Sequence, residues 1–265
     1  MNAMKRPLLT LSATLFLLAP TAAHAQWVTA LDADNIVSNA ASNQNTPLTV
    51  SDGAGGFVTV WRDTRTGGQP AVWMSLSSDA GATFTPPVKV SDAPAGGDAE
   101  LDPDVALSDG EIVVVWQAFA NGGDDDAAAI RLARFTHDGV KHGRDLRVDG
   151  GTTEAGRWQP ALALPPDGAP VVAWIDERDH GPDGVALEHV YAARFDASSG
   201  AFAPAVRVDD GTPVPLAASL DNRWSPAILA IGDTVHVAWT DFRDYNWDVH
   251  ATRSDDGGRT YAASQ

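Results

Sequence analysis

Acidic and basic side chains recur at one fixed place in this sequence, directly after a tryptophan. The repeated phrase supplies three pairs of residues, which are Asp63 with Arg65, Asp176 with Arg178, and Asp241 with Arg243. A carboxylate and a guanidinium at this spacing can bind each other, or they can bind the polar groups of a ligand through strong charged hydrogen bonds. Two interpretations therefore stand: salt bridges that tie each loop to its strand, or a ligand-binding set.

A second set of side chains precedes two prolines. Arg157 and Trp158 come before Pro160, and Arg223 and Trp224 come before Pro226. A flat indole ring beside an arginine suits a sugar or a carboxylate, because it offers an apolar platform with hydrogen-bonding groups at its rim. Ligand contact and structural packing are equally open for these four residues. The predicted ligand-binding set is Asp63, Arg65, Arg157, Trp158, Asp176, Arg178, Arg223, Trp224, Asp241 and Arg243.

The elements that must position these residues are short β-strands. The phrase contains a tryptophan in each of four places, which are Trp61, Trp116, Trp174 and Trp239. Their spacings of 55, 58 and 65 residues indicate a repeat fold. Each unit has a strand that follows a proline, a tight turn, the apolar strand that ends in tryptophan, a third strand and a short outer strand. The units cover roughly residues 46–92, 102–149, 159–209 and 225–265. This order predicts an all-β protein, a β-propeller of four-stranded antiparallel blades.

The two ends of the repeat leave the closure of the ring open. The fourth unit stops at Gln265 without an outer strand, and residues 35–38 resemble that missing strand. If residues 35–38 complete the last blade, the chain forms a closed ring of four blades without an exposed edge. The alternative is that the chain is a fragment of a larger ring.

In a four-stranded blade, the loop after the second strand lies on the same face as the connection to the next blade. The Asp-x-Arg pairs begin the former loops, and the segments before the prolines end the latter. We therefore expect both sets of candidate residues to gather on one face of the propeller.

The N-terminus has the features of a secretory signal peptide, predicted over residues 1–25. Lys5 and Arg6 precede an apolar run that is too short to span a bilayer, and Ala23-His24-Ala25 is a small-x-small cleavage site. The propeller domain is then residues 26–265. We expect an exported bacterial protein, periplasmic or extracellular, without membrane insertion.

Charge and composition narrow the partners further. The formal net charge is −17 and there is no cysteine. A strongly acidic chain argues against nucleic acid and anionic membranes, which need basic surfaces. The expected partner is a glycan or an extracytoplasmic protein.

No metal or cofactor site is predicted. The acidic, glycine-rich residues 121–126 could supply oxygen ligands to Ca²⁺, but they do not match an EF-hand spacing, and we favour a solvated loop. The histidines form no metal-ligand spacing.

Two turns carry the motif Ser-x-Asp-x-Gly-x-Thr-aromatic. Its residues are Ser77, Asp79, Gly81, Thr83 and Phe84 in the first unit and Ser254, Asp256, Gly258, Thr260 and Tyr261 in the last. The motif resembles the Asp-box, or BNR, repeat of sialidase-like β-propellers. That resemblance covers nearly the whole chain after residue 25, and it implies that these residues are structural turns away from the ligand face.

The resemblance also allows a test for catalysis. Sialidases of the family are expected to hold the substrate carboxylate with three arginines and to use a tyrosine nucleophile paired with glutamate, and an aspartate acid/base. The family's early Phe/Tyr-Arg-Ile-Pro segment is absent here. The candidate catalytic residues are Tyr245, Glu177 and Asp241. These departures favour a non-catalytic binding module over the alternatives of an exo-sialidase-type glycoside hydrolase and of a scaffold.

Overall fold

A computed structural model describes residues 37–94, 97–108, 110–119, 128–151, 155–181, 184–210, 223–243 and 246–265. The described part contains sixteen β-strands and no helix, so none of its segments is a helix that could cross a membrane. The strands form four antiparallel sheets that are arranged as the blades of a β-propeller. The predicted fold class is thereby confirmed.

The strands follow one another in the order that the sequence repeat predicts. Blade 1 consists of β1 (Gln44–Ser51), β2 (Phe57–Asp63), β3 (Ala71–Ser77) and β4 (Val88–Lys89). Blade 2 consists of β5 (Ala99–Ser108), β6 (Glu111–Phe119), β7 (Ala128–Thr136) and β8 (Lys141–Arg147). Blade 3 consists of β9 (Arg157–Ala163), β10 (Val171–His180), β11 (Ala186–Asp196), β12 (Ala201–Phe202) and β13 (Val206–Arg207). Blade 4 consists of β14 (Arg223–Ile231), β15 (Thr234–Asp241) and β16 (Asp248–Ser254).

The second strands are apolar on both faces because a blade packs against each side of them. In β6 the residues from Ile112 to Phe119 are all buried, and β10 is buried from Val171 to Asp176. Apolar clusters join blade 1 to blade 2, blade 2 to blade 3, and blade 3 to blade 4. Trp116, Trp174 and Trp239 belong to these three clusters in turn. Their burial removes large aromatic surfaces from water and stabilises each junction.

Each first strand bends at its proline. Thr46, Asp102, Gln159 and Ser225, which precede the four prolines, have φ angles between 47° and 53°. The pairing register with the second strand shifts at the same places. A bulge of this kind locally re-aims the side chains beside it. It lets each first strand continue past its proline and bring its earlier residues onto the loop face.

The open edge of blade 4 is paired by the last residue of the chain. Gln265 and Ala251 of β16 exchange two backbone hydrogen bonds, of 2.9 and 3.1 Å. Ser264 donates its backbone N–H to Asp210 of blade 3 over 2.9 Å. Of the segment that was predicted to complete this blade, residues 35 and 36 lie outside the described residues, and Ser38 contacts Arg65 of blade 1. Closure by residues 35–38 stays a prediction.

Candidate functional site

The Asp-x-Arg pairs form a compact unit with the tryptophan that precedes them. In blade 4, Asp241 is fully buried and accepts hydrogen bonds from the indole Nε1 of Trp239 (3.0 Å), the backbone N–H of Arg243 (2.9 Å) and its Nη2 (2.5 Å). The units around Asp63 and Asp176 repeat these three contacts. The carboxylate therefore ties the strand end to the loop that follows it.

These contacts keep the buried aspartates ionised. Burial acts to raise the pKa of Asp241, but the hydrogen bonds from Arg243 and Trp239 outweigh it and hold that pKa well below its usual range. The pKa values of Asp63 and Asp176 are lowered against burial in the same way. All three are fixed anions whose acceptor atoms are occupied by the protein.

Arg157 and Arg223 connect neighbouring blades from beneath the surface. Arg157 is 1% exposed and donates to Asp176 of its own blade (3.1 Å) and to the carbonyl oxygen of Ala128 in blade 2 (3.1 Å). Arg223 is fully buried, lies 2.9 Å from Asp209 of blade 3 and donates to a backbone carbonyl of that blade. Both guanidinium groups serve the blade junctions.

The junction between blades 1 and 2 replaces this arrangement as a whole. Strand pairing places Glu100 opposite Ala118, as it places Arg157 opposite Asp176. Glu100 accepts the backbone N–H of Val72 (2.7 Å) and the hydroxyl of Ser91. The corresponding N–H in blade 2 is bound instead by Asp149 of the outer edge. Glu100 therefore lies beside the neutral Ser91 and Ala118, and the second unit has no aspartate at the position that Asp176 occupies in blade 3.

Exposed aromatic rings lie on the loop face of blade 4. Trp224 and Trp247 are each 48% exposed, with ring centroids 6.0 Å apart. The ring of Phe242 lies 5.0 Å from that of Trp247. We call Trp224, Phe242 and Trp247 the aromatic cluster. Of these, only Trp224 belongs to the predicted set.

Two glutamates border the aromatic cluster from blade 3. Glu188 accepts a hydrogen bond from the indole Nε1 of Trp224 over 3.1 Å. Burial raises the pKa of Glu188, the bond from Trp224 opposes that shift, and the nearby Glu177 carboxylate adds to it. Glu177 packs with Trp158 over Gly156, where an added Cβ would lie 2.6 Å from the carboxylate and 2.1 Å from the indole ring.

The ten predicted ligand-binding residues thus divide by exposure. Asp63, Asp176, Asp241, Arg157 and Arg223 are buried within the blades, whereas Arg65, Arg178, Arg243, Trp158 and Trp224 keep exposed surface. Arg65, Arg178 and Arg243 each bind the buried aspartate of their own blade through the guanidinium group. Of the catalytic candidates, Glu177 lies on the loop face, Asp241 is buried and Tyr245 lies outside the described residues.

Glu188, Phe242 and Trp247 were missed by sequence reasoning. None of these three residues belongs to a repeated motif, whereas the predicted set came from repeated motifs. The available signal was a tryptophan outside the repeated phrase, in the loop that follows Asp241. The acidic residues 121–126 also lie outside the described residues. Among the described residues, no group of three histidine, aspartate or glutamate side chains is arranged to hold a metal ion.

The two Ser-x-Asp-x-Gly turns lie at the other end of the blades. Strand pairing sets Ser77 opposite Phe57 and sets Asp63 opposite Ala71, so the turn after Ser77 is remote from the loop face. Asp79 accepts the hydroxyl of Ser77 (2.8 Å) and both the N–H and the hydroxyl of Thr83 (2.8 and 2.6 Å). These bonds lower the pKa of Asp79 to about 2. Ser254, Asp256 and Thr260 repeat the network.

A cavity of about 520 Å³ opens between blades 3 and 4 at this remote end. Its charged lining includes Asp167 and Arg194, which bind each other. Arg194 also donates to the carbonyl oxygen of Gly257 over 2.5 Å. Arg194 therefore serves the junction between blades 3 and 4.

No family model and no curated protein matches the chain. Solved structures do match it. A Hadza microbial sialidase, Hz136, aligns with a TM-score of 0.59 and 13% identity over 83% of this chain and 46% of its own length. The NanB sialidase of Streptococcus pneumoniae aligns with a TM-score of 0.58 and 9% identity over 87% and 53%. A polysaccharide lyase of family PL25, an ulvan lyase, aligns with a TM-score of 0.56 and 14% identity over 82% and 54%.

The chain folds as a sialidase-like β-propeller. It spans about half the length of these three proteins. At these identities the similarity establishes the fold alone.

Proposed function

We propose that this protein is an exported, non-catalytic carbohydrate-binding β-propeller. Its binding site is the loop face of blades 3 and 4, centred on Trp224. The observation that carries the proposal is the aromatic cluster, in which the exposed rings of Trp224 and Trp247 and the half-buried ring of Phe242 lie beside Glu188. The signal-like residues 1–25 support export to the periplasm or the cell exterior, and the Ser-x-Asp-x-Gly turns act as structural Asp boxes.

The chemistry of the face suits a sugar. Indole rings pack against the C–H faces of pyranose rings and remove apolar surface from water, while carboxylates accept hydrogen bonds from hydroxyl groups. Trp224 is held by its bond to Glu188, so little side-chain entropy is lost on binding. The acidic rim favours a neutral glycan over an extracytoplasmic protein with an acidic surface.

One observation favours a second candidate, a glycoside hydrolase. Glu188 has a raised pKa and lies near Glu177, and a pair of carboxylates with different proton affinities is what most glycosidases use. This candidate differs from the exo-sialidase type, whose nucleophile would be Tyr245.

Binding is tested on a glycan array followed by calorimetry with the best ligand. The panel includes neutral oligosaccharides, sialosides and uronate-containing glycans, since a sialidase and a lyase share the fold. We expect Trp224→Ala to weaken binding at least tenfold, which corresponds to about 1.4 kcal/mol. Leu229→Ala is the matched control, because Leu229 is 58% exposed and lies outside the aromatic cluster. Equal affinities of the two variants, or no ligand on the array, would contradict the binding proposal.

Catalysis is tested by the release of reducing sugar or of a fluorogenic leaving group. The non-catalytic proposal expects no turnover by the wild-type protein. Turnover that is lost in Glu188→Gln would establish the hydrolase instead, and turnover lost only in Tyr245→Phe would establish the sialidase type.

A further inference from the structure

On the loop face of blades 3 and 4, one combination of side chains occurs twice, an indole ring with a glutamate at its side. Trp158 and Trp224 occupy equivalent positions, since each follows the arginine that pairs with the buried aspartate of its blade. Nε1 of Trp224 donates to Glu188 over 3.1 Å. The ring of Trp158 and the carboxylate of Glu177 lie over the same point of Gly156, 2.1 and 2.6 Å from where its Cβ would be. Both tryptophans therefore lie beside a carboxylate.

The two glutamates also act on each other, across neighbouring strands of blade 3. Glu177 belongs to β10 and Glu188 belongs to β11. Burial raises the pKa of Glu188, the bond from Trp224 opposes that change, and the negative charge of Glu177 adds to it. Because like charges at this range repel each other, a positive charge bound beside Glu188 would be attracted by both carboxylates.

In the described part of this face, the arginines are bound to carboxylates other than Glu188. Arg178 and Arg243 each lie 2.5 Å from the buried aspartate of their own blade. Arg223 is fully buried and acts on Glu188 less strongly than Glu177 does. A ligand at Trp224 therefore meets the negative charge of Glu188, and a sugar with a positive charge fits this rim better than a neutral one.

We propose that the glycan of this site carries free amino groups, as deacetylated hexosamines do. The inference rests on the proposed carbohydrate-binding function and names the ligand class of the same site. Trp224 would stack on the pyranose ring, and the protonated amine of that ring would donate a charged hydrogen bond to Glu188. The faces of the two exposed indoles, Trp224 and Trp247, also attract a cation. The formal net charge of −17 attracts a polycationic glycan and repels sialosides and uronates.

Calorimetry with two matched ligands tests the inference. Oligomers of glucosamine and of N-acetylglucosamine can be compared at the same length and linkage, and only the former are cationic. Near neutral pH we expect the glucosamine oligomer to bind at least about tenfold more tightly, since one hydrogen bond between charged groups accounts for such a factor. The preference should shrink as salt is added, because ions screen the attraction.

Substitutions assign the preference to its residue. Glu188→Gln removes the charge but keeps an oxygen for Nε1 of Trp224, so it should bind both oligomers as the wild type binds the N-acetylated one. Glu177→Gln should reduce the preference to a smaller extent, because it acts from a greater distance. Glu111→Gln is the matched control, since Glu111 bonds to Arg134 at the remote end of blade 2. It changes the net charge equally and should keep the wild-type preference. Circular dichroism verifies that the variants fold.

The outcomes separate this inference from the binding proposal. Equal affinity of the wild type for the two oligomers would overturn the inference while leaving carbohydrate binding intact. So would a preference that survives in Glu188→Gln, or one that disappears equally in Glu111→Gln. Failure to bind any glycan, on the array or in solution, would contradict the proposed function itself and the inference with it.

Discussion

At the scale of single residues, the loop face depends on three buried carboxylates. Each joins a tryptophan, a backbone N–H and a partly exposed arginine, so removing its charge leaves these donors without an anionic acceptor. We expect Asp241→Asn to lower the free energy of unfolding by about 3 kcal/mol, measured by urea denaturation at pH 7. Asp255→Asn is the control, because its partner Arg253 is exposed and such pairs contribute about 1 kcal/mol or less.

The same change should alter the dependence of stability on pH. The folded pKa of Asp241 lies below its unfolded value, so its contribution is complete above about pH 4 and is lost as the pH falls. The stability difference between wild type and Asp241→Asn should therefore shrink as the pH falls from about 5 to 3. A constant difference over this range would contradict the role assigned to the ionised carboxylate.

Glu100 is expected to behave in the opposite way. Burial raises its pKa, although Ser91 and Val72 donate hydrogen bonds to it. A carboxyl group with a raised folded pKa loses stability as the pH rises from its unfolded pKa through its folded one. As the pH rises from about 4 to 7, Glu100→Gln should therefore gain stability relative to the wild type, as measured by urea denaturation. A loss at pH 7 like that of Asp241→Asn would contradict this assignment.

The residues also show how far the sequence could predict the site. The repeated Asp-x-Arg phrase marked the ends of the second strands, but it did not indicate that the indole N–H of each tryptophan donates a hydrogen bond to the aspartate. Glu188 belongs to blade 3, and only the packing of blade 3 beside blade 4 brings it to Trp224. A single sequence carries no signal for such a contact, whereas a local turn such as Ser77 to Thr83 can be read directly.

At the scale of elements, the bulge before each proline sets the loop face. Ser225 has a φ of 53°, a conformation that a β-branched residue adopts only with strain. We expect Ser225→Val to lower the free energy of unfolding by about 1–2 kcal/mol, because the backbone there becomes strained. It should also weaken glycan binding, because it shifts Trp224. Ser225→Gly should keep both within error. Equal thermal denaturation and calorimetry results for the two variants would show that the bulge does not position Trp224.

The bulges also explain where element prediction was incomplete. The prolines were expected to open the first strands, since a proline lacks the N–H that a central strand needs. The strands in fact begin earlier, at Gln44, Ala99, Arg157 and Arg223. The bulge leaves the proline outside the regular ladder, so pairing resumes on its N-terminal side. The second strands were predicted well because both faces of each are buried. The resulting continuous run of apolar residues can be recognised in the sequence without knowing which blades pack against it.

At the scale of the whole molecule, each blade depends on its neighbours. The stability of repeat proteins approximates a sum of units and of interfaces between neighbours. Val190 and Val249 occupy one position in blades 3 and 4, one fully buried and one 74% exposed. The pair therefore compares a position inside a blade junction with an exposed position on the corresponding strand.

We expect Val190→Ala to lower the free energy of unfolding by about 2 kcal/mol, because it leaves a void in a dry junction. Val249→Ala should change the free energy of unfolding by less than about 0.5 kcal/mol, the usual range at exposed sites. Urea denaturation measures both changes. A loss of stability in Val249→Ala as large as that in Val190→Ala would contradict the difference in burial between the two positions.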